Sequence, residues 1–564
     1  MKRKLIFTAL FVCVMLYAPL AAFSQDFEMD GTMLVRYNGS AANVTIPAGV
    51  TVIGDSVFSG CSSLISVTIP SGVTSIGGGA FGGCTGLTSV TIPTSVTEIG
   101  WGAFYGCASL TSVTIPAGVT GIGENAFPSC SSLTSITVDN QNRVYSSVDG
   151  VLFDKNKTVL ITYPAGKQEK NYTIPASVTS IGRGAFWGGT GLTNVTIPAG
   201  ALIGKDAFAE CSGLTSVTIL AGVTGIGTGA FYRCTNLTSV TIPAGITGIG
   251  ENTFSGCTSL RSVIIPASVT SIDVSAFSGC GSLTSITVDN QNRVYSSVDG
   301  VLFNKNRTVL MQYPAGKQEK NYAIPEGVTS FGPFAFFRCT SLTSVTIPSS
   351  VTSIGNNAFG GTSLTSITVD NQNRVYSSVD GVLFNKNRNV LIAYPAGKQE
   401  KNYTIPTSVT SIGPFAFYEC TGLTSVTISA SVTSIDVYAF SECGSLTSIT
   451  VDNQNRVYSS VDGVLFNKNR NVLIVYPAGK QEKNYTIPEG VTSFGPFAFS
   501  GCTSLANVTI PASVTEIGWD AFLHWTADQT IYIRGFTSQA VADHAWGSTW
   551  RVTCDAKIIY QGGR

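Results

Sequence analysis

The chain has only two histidines in 564 residues, His524 and His544, both close to its C-terminal end. A Ser–His–Asp triad or an imidazole-ligated metal therefore has no histidine to draw on through the body of the sequence. Charge is scarce as well. Asp, Glu, Lys and Arg make up 12% of the chain, with 33 residues of each sign. Removing Lys2, Arg3 and Lys4 with an N-terminal leader leaves 30 basic against 33 acidic residues, a net of −3. Phosphate binding needs a basic footprint, so nucleic acid is excluded as the main partner. Beyond residue 24 no apolar run reaches membrane-spanning length.

What is abundant is repetition. The segment Leu110–Ser132, LTSVTIPAGVTGIGENAFPSCSS, returns with small edits along almost the whole chain, and its cysteine recurs at Cys61, Cys84, Cys107 and Cys130, then at Cys211, Cys234, Cys257 and Cys280. A fixed period of 23 residues means an array of stacked units. Leu110, Val113, Ile115, Val119, Ile122, Phe127 and Cys130 form the apolar set of one unit, at a spacing that is neither 3.6 nor a long run of 2. Such a unit reads as a coil with one short strand (LTSVTI), a second extended piece (VTGIG) and a corner (NAF). Its few apolar side chains cannot offset the entropy of ordering 23 residues, so stability belongs to the stack. The expected fold is a β-rich solenoid of about 20 coils around a parallel ladder sheet, with short second strands and turn or 3-10 corners.

The chain opens with MKRK, an apolar LIFTALFVCVMLY and a small-residue stretch ending near Ser24. This is the pattern of a secretory signal peptide over residues 1–24, and it places the protein outside the cell, secreted or at the surface. Cys13 lies inside the apolar core after Val12, which does not fit a lipidation site. Residues 25–45 read as an N-terminal cap, 46–522 as the solenoid and 523–564 as a C-terminal cap sealed by Trp525, Trp546 and Trp550.

Four coils are longer, about 36 residues instead of 23, and begin at Asp139, Asp289, Asp370 and Asp452. Their VLF-NKNR-TVLI core reads as a β-hairpin, followed by a charged KQEKN loop. Because these inserts are not needed to close a coil, they are the candidate ligand-binding elements. They offer Asn142, Arg143, Tyr145, Asp149, Lys167 and Lys170, then Arg293, Tyr295 and Asp299, Arg374, Tyr376 and Asp380, and Arg456, Tyr458 and Asp462. Copies spaced three coils apart could engage one repetitive ligand several times over. The blander reading is that hairpin and tyrosines only widen the coil.

Other motifs carry no chemistry. Gly77–Gly82 matches GxGxxG, but it opens no helix of a βαβ unit. The insert aspartates do not have EF-hand spacing. The cysteines lack zinc-site pairing, and Cys339 and Cys502 have no cysteine in either flanking coil. All of them read as small buried hydrophobes with free thiols. Ser112 and Thr114 place hydroxyls on solvent coil after coil, a solvated sheet with β-favouring threonine. No catalytic, metal or cofactor site emerges, and the chain does not read as an enzyme.

The strand signature Leu110-Thr-Ser-Val113-Thr-Ile115-Pro116 resembles the LxxLxL of leucine-rich repeats. The 23-residue form CxxLxxVxIPxxVxxIGxxAF is similar to the BspA-like subclass. That resemblance implies a leucine-rich-repeat solenoid and an exported, adhesin-like binding protein for protein or glycan ligands, on a host or neighbouring-cell surface. The alternative is a structural, self-associating envelope spacer. The position of the family's inward asparagine holds Gly118, Ser177 or Gly222 here, so the usual asparagine bonds to the turn are expected to be missing.

Overall fold

The structure, a computed structural model, describes residues 26–547, 550, 554 and 556–562. The leader expected over residues 1–24 lies outside them. The chain divides into two compact units. The first runs up to Lys170 and includes Ser177–Leu192; the second comprises Asn171–Ala176 and everything from Thr193. Each is a leucine-rich-repeat β-solenoid, with about 23 coils between them. The excess over the expected 20 arises because the flanking segments also contribute solenoid strands. Met33–Tyr37 pairs in parallel with Val52–Ile53, and Lys557–Gln561 with Thr530–Arg534.

A regular coil follows from its sequence. In Ser112–Ile115 the period of 2 buries Val113 and Ile115 and exposes Ser112 and Thr114. The strand pairs in parallel with Ser135–Val138, Ser112 opposite Ser135. The second, two-residue strand Gly121–Ile122 pairs with Glu98–Ile99 of the coil before. Between the sheets the corners are turns closed by i to i+3 bonds, from Cys107 N to Phe104 O and from Leu110 N to Cys107 O. At Gly100, after the second strand, the coils approach closely: a Cβ there would stand 2.5 Å from the Gly78 nitrogen.

Phe58, Phe81, Phe104 and Phe127 stack in a column with ring centroids 5.1–5.4 Å apart and planes within 6°. Beside it runs a column of thiols. In regular coils a buried cysteine donates its S–H to the carbonyl of the preceding coil's phenylalanine, as Cys107 Sγ does to Phe81 O at 3.2 Å; after an insert the acceptor is the tyrosine, as for Cys339 and Tyr313 O. No disulfide joins the 13 described cysteines, and all but Cys61 and Cys554 are buried. Burial pushes the thiols of Cys84, Cys130 and Cys280 up to about 12.

The inserts are more than one hairpin. In the second, Tyr295–Val298 and Val301–Asn304 form a tight antiparallel pair, Val298 opposite Val301. The two residues between them, Asp299 and Gly300, have φ of 50° and 77°. This is the Asp-Gly turn whose twist matches paired strands. The expected VLF/TVLI hairpin is also present, with a bulge after Leu302. Its second arm, Val309–Gln312, then joins the second sheet, in parallel with Ser330–Phe331. Tyr313 takes the phenylalanine place in the aromatic column, stacked on Phe336 at 5.4 Å.

The middle strand of the insert runs through the core. In the third insert Leu383 packs with the apolar cluster before it, while Val382 and Phe384 pack with the cluster after it. The fourth repeats this with Leu465 on one side and Val464 and Phe466 on the other. Each insert is thus a partition buried on both faces.

Candidate functional site

The inserts fix where each candidate residue stands. Asn142 is 1% exposed and fully used. Its Nδ2 donates to Pro116 O and Val119 O at 2.9 Å, and its Oδ1 accepts from the Val144 and Tyr145 nitrogens. Asn292, Asn373 and Asn455 do the same in the other inserts. The position of Gly118 is held by Gln141 in the insert, and the buried asparagine stands one residue later, over Val119, where it has nothing left to offer a ligand.

Tyr145 is buried too. Its phenol oxygen accepts from Ile122 N at 2.9 Å, ending the second sheet where the next coil would otherwise pair. Tyr295 and Tyr458 cap Ile272 and Ile435 in the same way, and Tyr376 donates to Thr352 O. Burial raises the pKa of each of these phenols. Lys167 is occupied by the fold as well, donating to Asp149 O at 2.7 Å and pairing with Glu169 at 3.1 Å.

Arg143, Arg293, Arg374 and Arg456 are exposed, and none makes an ion pair among the described residues. Asp149, Asp299, Asp380 and Asp462 are exposed at the hairpin tips, and Lys170 is exposed in the loop. Burial, with the Asp299 charge second, pushes the neighbouring Tyr322 phenol up to about 12. The structure therefore brings each hairpin tip to its clamping lysine and leaves the arginine and aspartate among the outward charges of the insert.

Sequence reasoning did not anticipate a cleft beside the insert. Where the second sheet stops at the third insert, a cleft of about 230 Å³ opens between Asn356–Asn357 on one side and Phe415 and Tyr418 on the other. Asn357 is 8% exposed, and its Oδ1 has no hydrogen-bond partner. A matching cleft of about 230 Å³ lies at the first insert, lined by Asn125 and Trp187, where Asn125 Oδ1 is likewise unpaired. There the Arg183–Glu124 ion pair, 3.4 Å, also lines it. The available signal was the Gly-Pro-Phe that precedes Ala-Phe after the last three inserts, at Phe334, Phe415 and Phe497. Phenylalanine occupies there a corner position that is Gly79, Gly102 or Asn125 in other coils.

Among the described residues no group of three or more His, Cys, Asp or Glu is arranged to hold a metal. No helix among them is long and apolar enough to cross a membrane. His524 lies 3.6 Å from Glu442 on the surface, and the side chain of His544 lies outside the described residues.

The parallel ladder and the leucine-type strand signature define a leucine-rich-repeat solenoid. The pattern of the BspA type leucine rich repeat region matches residues 36–157, 165–284, 315–390, 396–474 and 478–544, and the chain belongs to that family. Among solved structures, the chain is similar to a leucine rich cell surface protein from Faecalibacterium prausnitzii A2-165, at 28% identity. That match covers 76% of this chain and 95% of the other, with a TM-score of 0.40. A leucine-rich repeat protein from Eubacterium ventriosum ATCC 27560 is 26% identical over 59% of this chain and 89% of its own, with a TM-score of 0.43. No curated protein matches the chain.

Proposed function

We propose that the protein is an exported, surface-displayed or secreted binding protein, adhesin-like, that presents its inserts to a protein or cell-surface ligand. One observation carries this reading. The same exposed arginine and hairpin-tip aspartate recur on four inserts, while Asn142, Tyr145 and Lys167 and their counterparts are consumed by the fold. A passive coil needs the buried asparagine and tyrosine; it does not need the unpaired arginine. The similarity to a protein described as a leucine rich cell surface protein supports surface display, as does the secretory pattern of the first 24 residues.

The test replaces Arg143, Arg293, Arg374 and Arg456 with alanine, singly and together, in Gln25–Arg564. Binding to extracellular-matrix proteins and to a glycan array is then measured. Repeated weak contacts act through effective concentration, so single changes are expected to cost about twofold or less and the fourfold variant more than about tenfold. Equal binding by the fourfold variant removes the inserts as the site. Concentration-dependent oligomers with no binding to either panel support a self-associating spacer instead.

A further inference from the structure

We infer that the cleft at the third insert is a binding site for a neutral pyranose unit of a glycan, held between Asn357 and the wall formed by Phe415 and Tyr418. This rests on the reading of the chain as a binding scaffold, and it names a ligand chemistry and a place distinct from the arginine surface of the inserts.

Four observations converge. First, no charged side chain lines this cleft, so phosphates, carboxylates and ammonium groups have no counter-charge in it. Second, Asn357 Oδ1 is a buried acceptor with no donor. Asparagine suits the left-handed backbone there, φ 51°, which explains the residue but not the unpaired oxygen. A buried acceptor left unpaired is destabilising, and a hydroxyl donor relieves it where a purely apolar ligand does not. Third, the facing wall is aromatic, suited to the flat C–H face of a sugar ring. At about 230 Å³ the cleft holds roughly eight waters' worth of ligand, the scale of one ring rather than a helix or folded segment.

The fourth observation is strain. Phe334, Phe415 and Phe497 adopt φ of 58°, 57° and 58°, a region that bulky residues avoid. This strained backbone recurs in the coil after each of the last three inserts. It sets these rings into an aromatic strip at one corner of the second unit. Phe415 stacks on Tyr438 at 4.5 Å, Tyr438 meets Phe497 at 4.8 Å, and Phe497 meets Trp519 at 4.6 Å. Trp519 is 42% exposed. The cleft wall therefore continues into partly exposed rings across several coils, the platform an extended glycan needs beyond its first unit.

The molecule also contains its own closed version. Tyr438, in the coil before the fourth insert, occupies the position of Asn357, and the cavity there falls to about 10 Å³.

The test uses the full chain, with calorimetric titration and saturation-transfer NMR. Probes are glucose, galactose, mannose and N-acetylglucosamine, their linear tetrasaccharides, a sialylated trisaccharide and indole. At least one neutral tetrasaccharide is expected to bind more tightly than its monosaccharide, with the sialylated probe and indole weaker. Asn357→Tyr and Tyr418→Ala should each weaken that binding at least about tenfold, and Asn125→Tyr should leave it unchanged. Tyr418→Ala, on the outer wall, carries the test if Asn357→Tyr melts early. Absence of saccharide binding, undiminished binding in both cleft variants, or binding of indole alone overturns the proposal. Monosaccharides binding as tightly as their tetrasaccharides would assign the site to free sugars and overturn the glycan assignment. Sugar binding that survives in the four-arginine variant while matrix binding is lost separates this site from the insert surface. Matrix binding without saccharide binding overturns the cleft alone.

Discussion

Asn292 shows how much one side chain holds. It is fully buried and makes four hydrogen bonds to two neighbouring stretches of backbone. Asn292→Ala leaves two carbonyls and two N–H groups without partners in the core, a loss of roughly 2–4 kcal/mol in the local unfolding step, measurable by urea titration with hydrogen exchange. Asn292→Asp retains the acceptor, loses both donors and adds a buried charge, so it should fare no better. The thiols act in the opposite direction, through what they refuse to do. Burial raises the pKa of Cys280 and Cys443 from 9.0 to about 12. Unfolded thiols ionise near pH 9 while folded ones keep their protons. The stability they confer is thus complete below pH 9 and is lost as pH rises toward 12. Melting temperature should be level from pH 6.5 to 8.5 and fall steadily above 9; a level profile to pH 11 contradicts the buried-thiol column.

At the scale of the element, the insert depends on its turn. Gly300 has φ 77°, and an added Cβ would stand 2.9 Å from the Ser285 Cα. Gly300→Ala should therefore cost about 1–3 kcal/mol and raise hydrogen exchange in Tyr295–Asn304, with coils two or more away unaffected. The coil and the insert were unequally legible in the sequence. The 23-residue period, the Val113/Ile115 alternation, the unbridged cysteines and the VLF/TVLI hairpin all follow from local pattern. The burial of Asn142 and Tyr145 does not, because Asn-Arg-Val-Tyr looks polar until the strand after it is known to pass through the core. Asn142 and Arg143 are adjacent yet one is saturated and the other exposed, and that choice is made by the neighbouring coil's carbonyls, 23 and 26 residues away. The cleft was hidden for the same reason. It lies where the sheet ending at Ser353–Ile354 is not joined to the next, whose strand Val390–Ala393 lines it, a gap between elements that no window of sequence contains.

Across the second unit, both sheets stop and restart at the inserts. From Asn171–Thr173 to Ser285–Val288 the ladder joins six strands, and a new ladder sheet begins after each later insert, as does the opposite sheet. On the proposed reading, binding at the four exposed arginines and stability of the stack rest on different residues of the insert. Substitutions on the exposed insert faces should alter binding without moving the melting temperature.

The partitions made by Leu383 and Leu465 have a mechanical meaning. Walls buried on both faces divide the second unit into compartments, each bounded by an insert and repeated every 81 or 82 residues between Asp289, Asp370 and Asp452. Pulled from its ends, such a chain releases its length a compartment at a time, about 280 Å per step at the reach of an extended chain. A tether built this way yields in stages under shear and keeps its remaining compartments folded while one gives way.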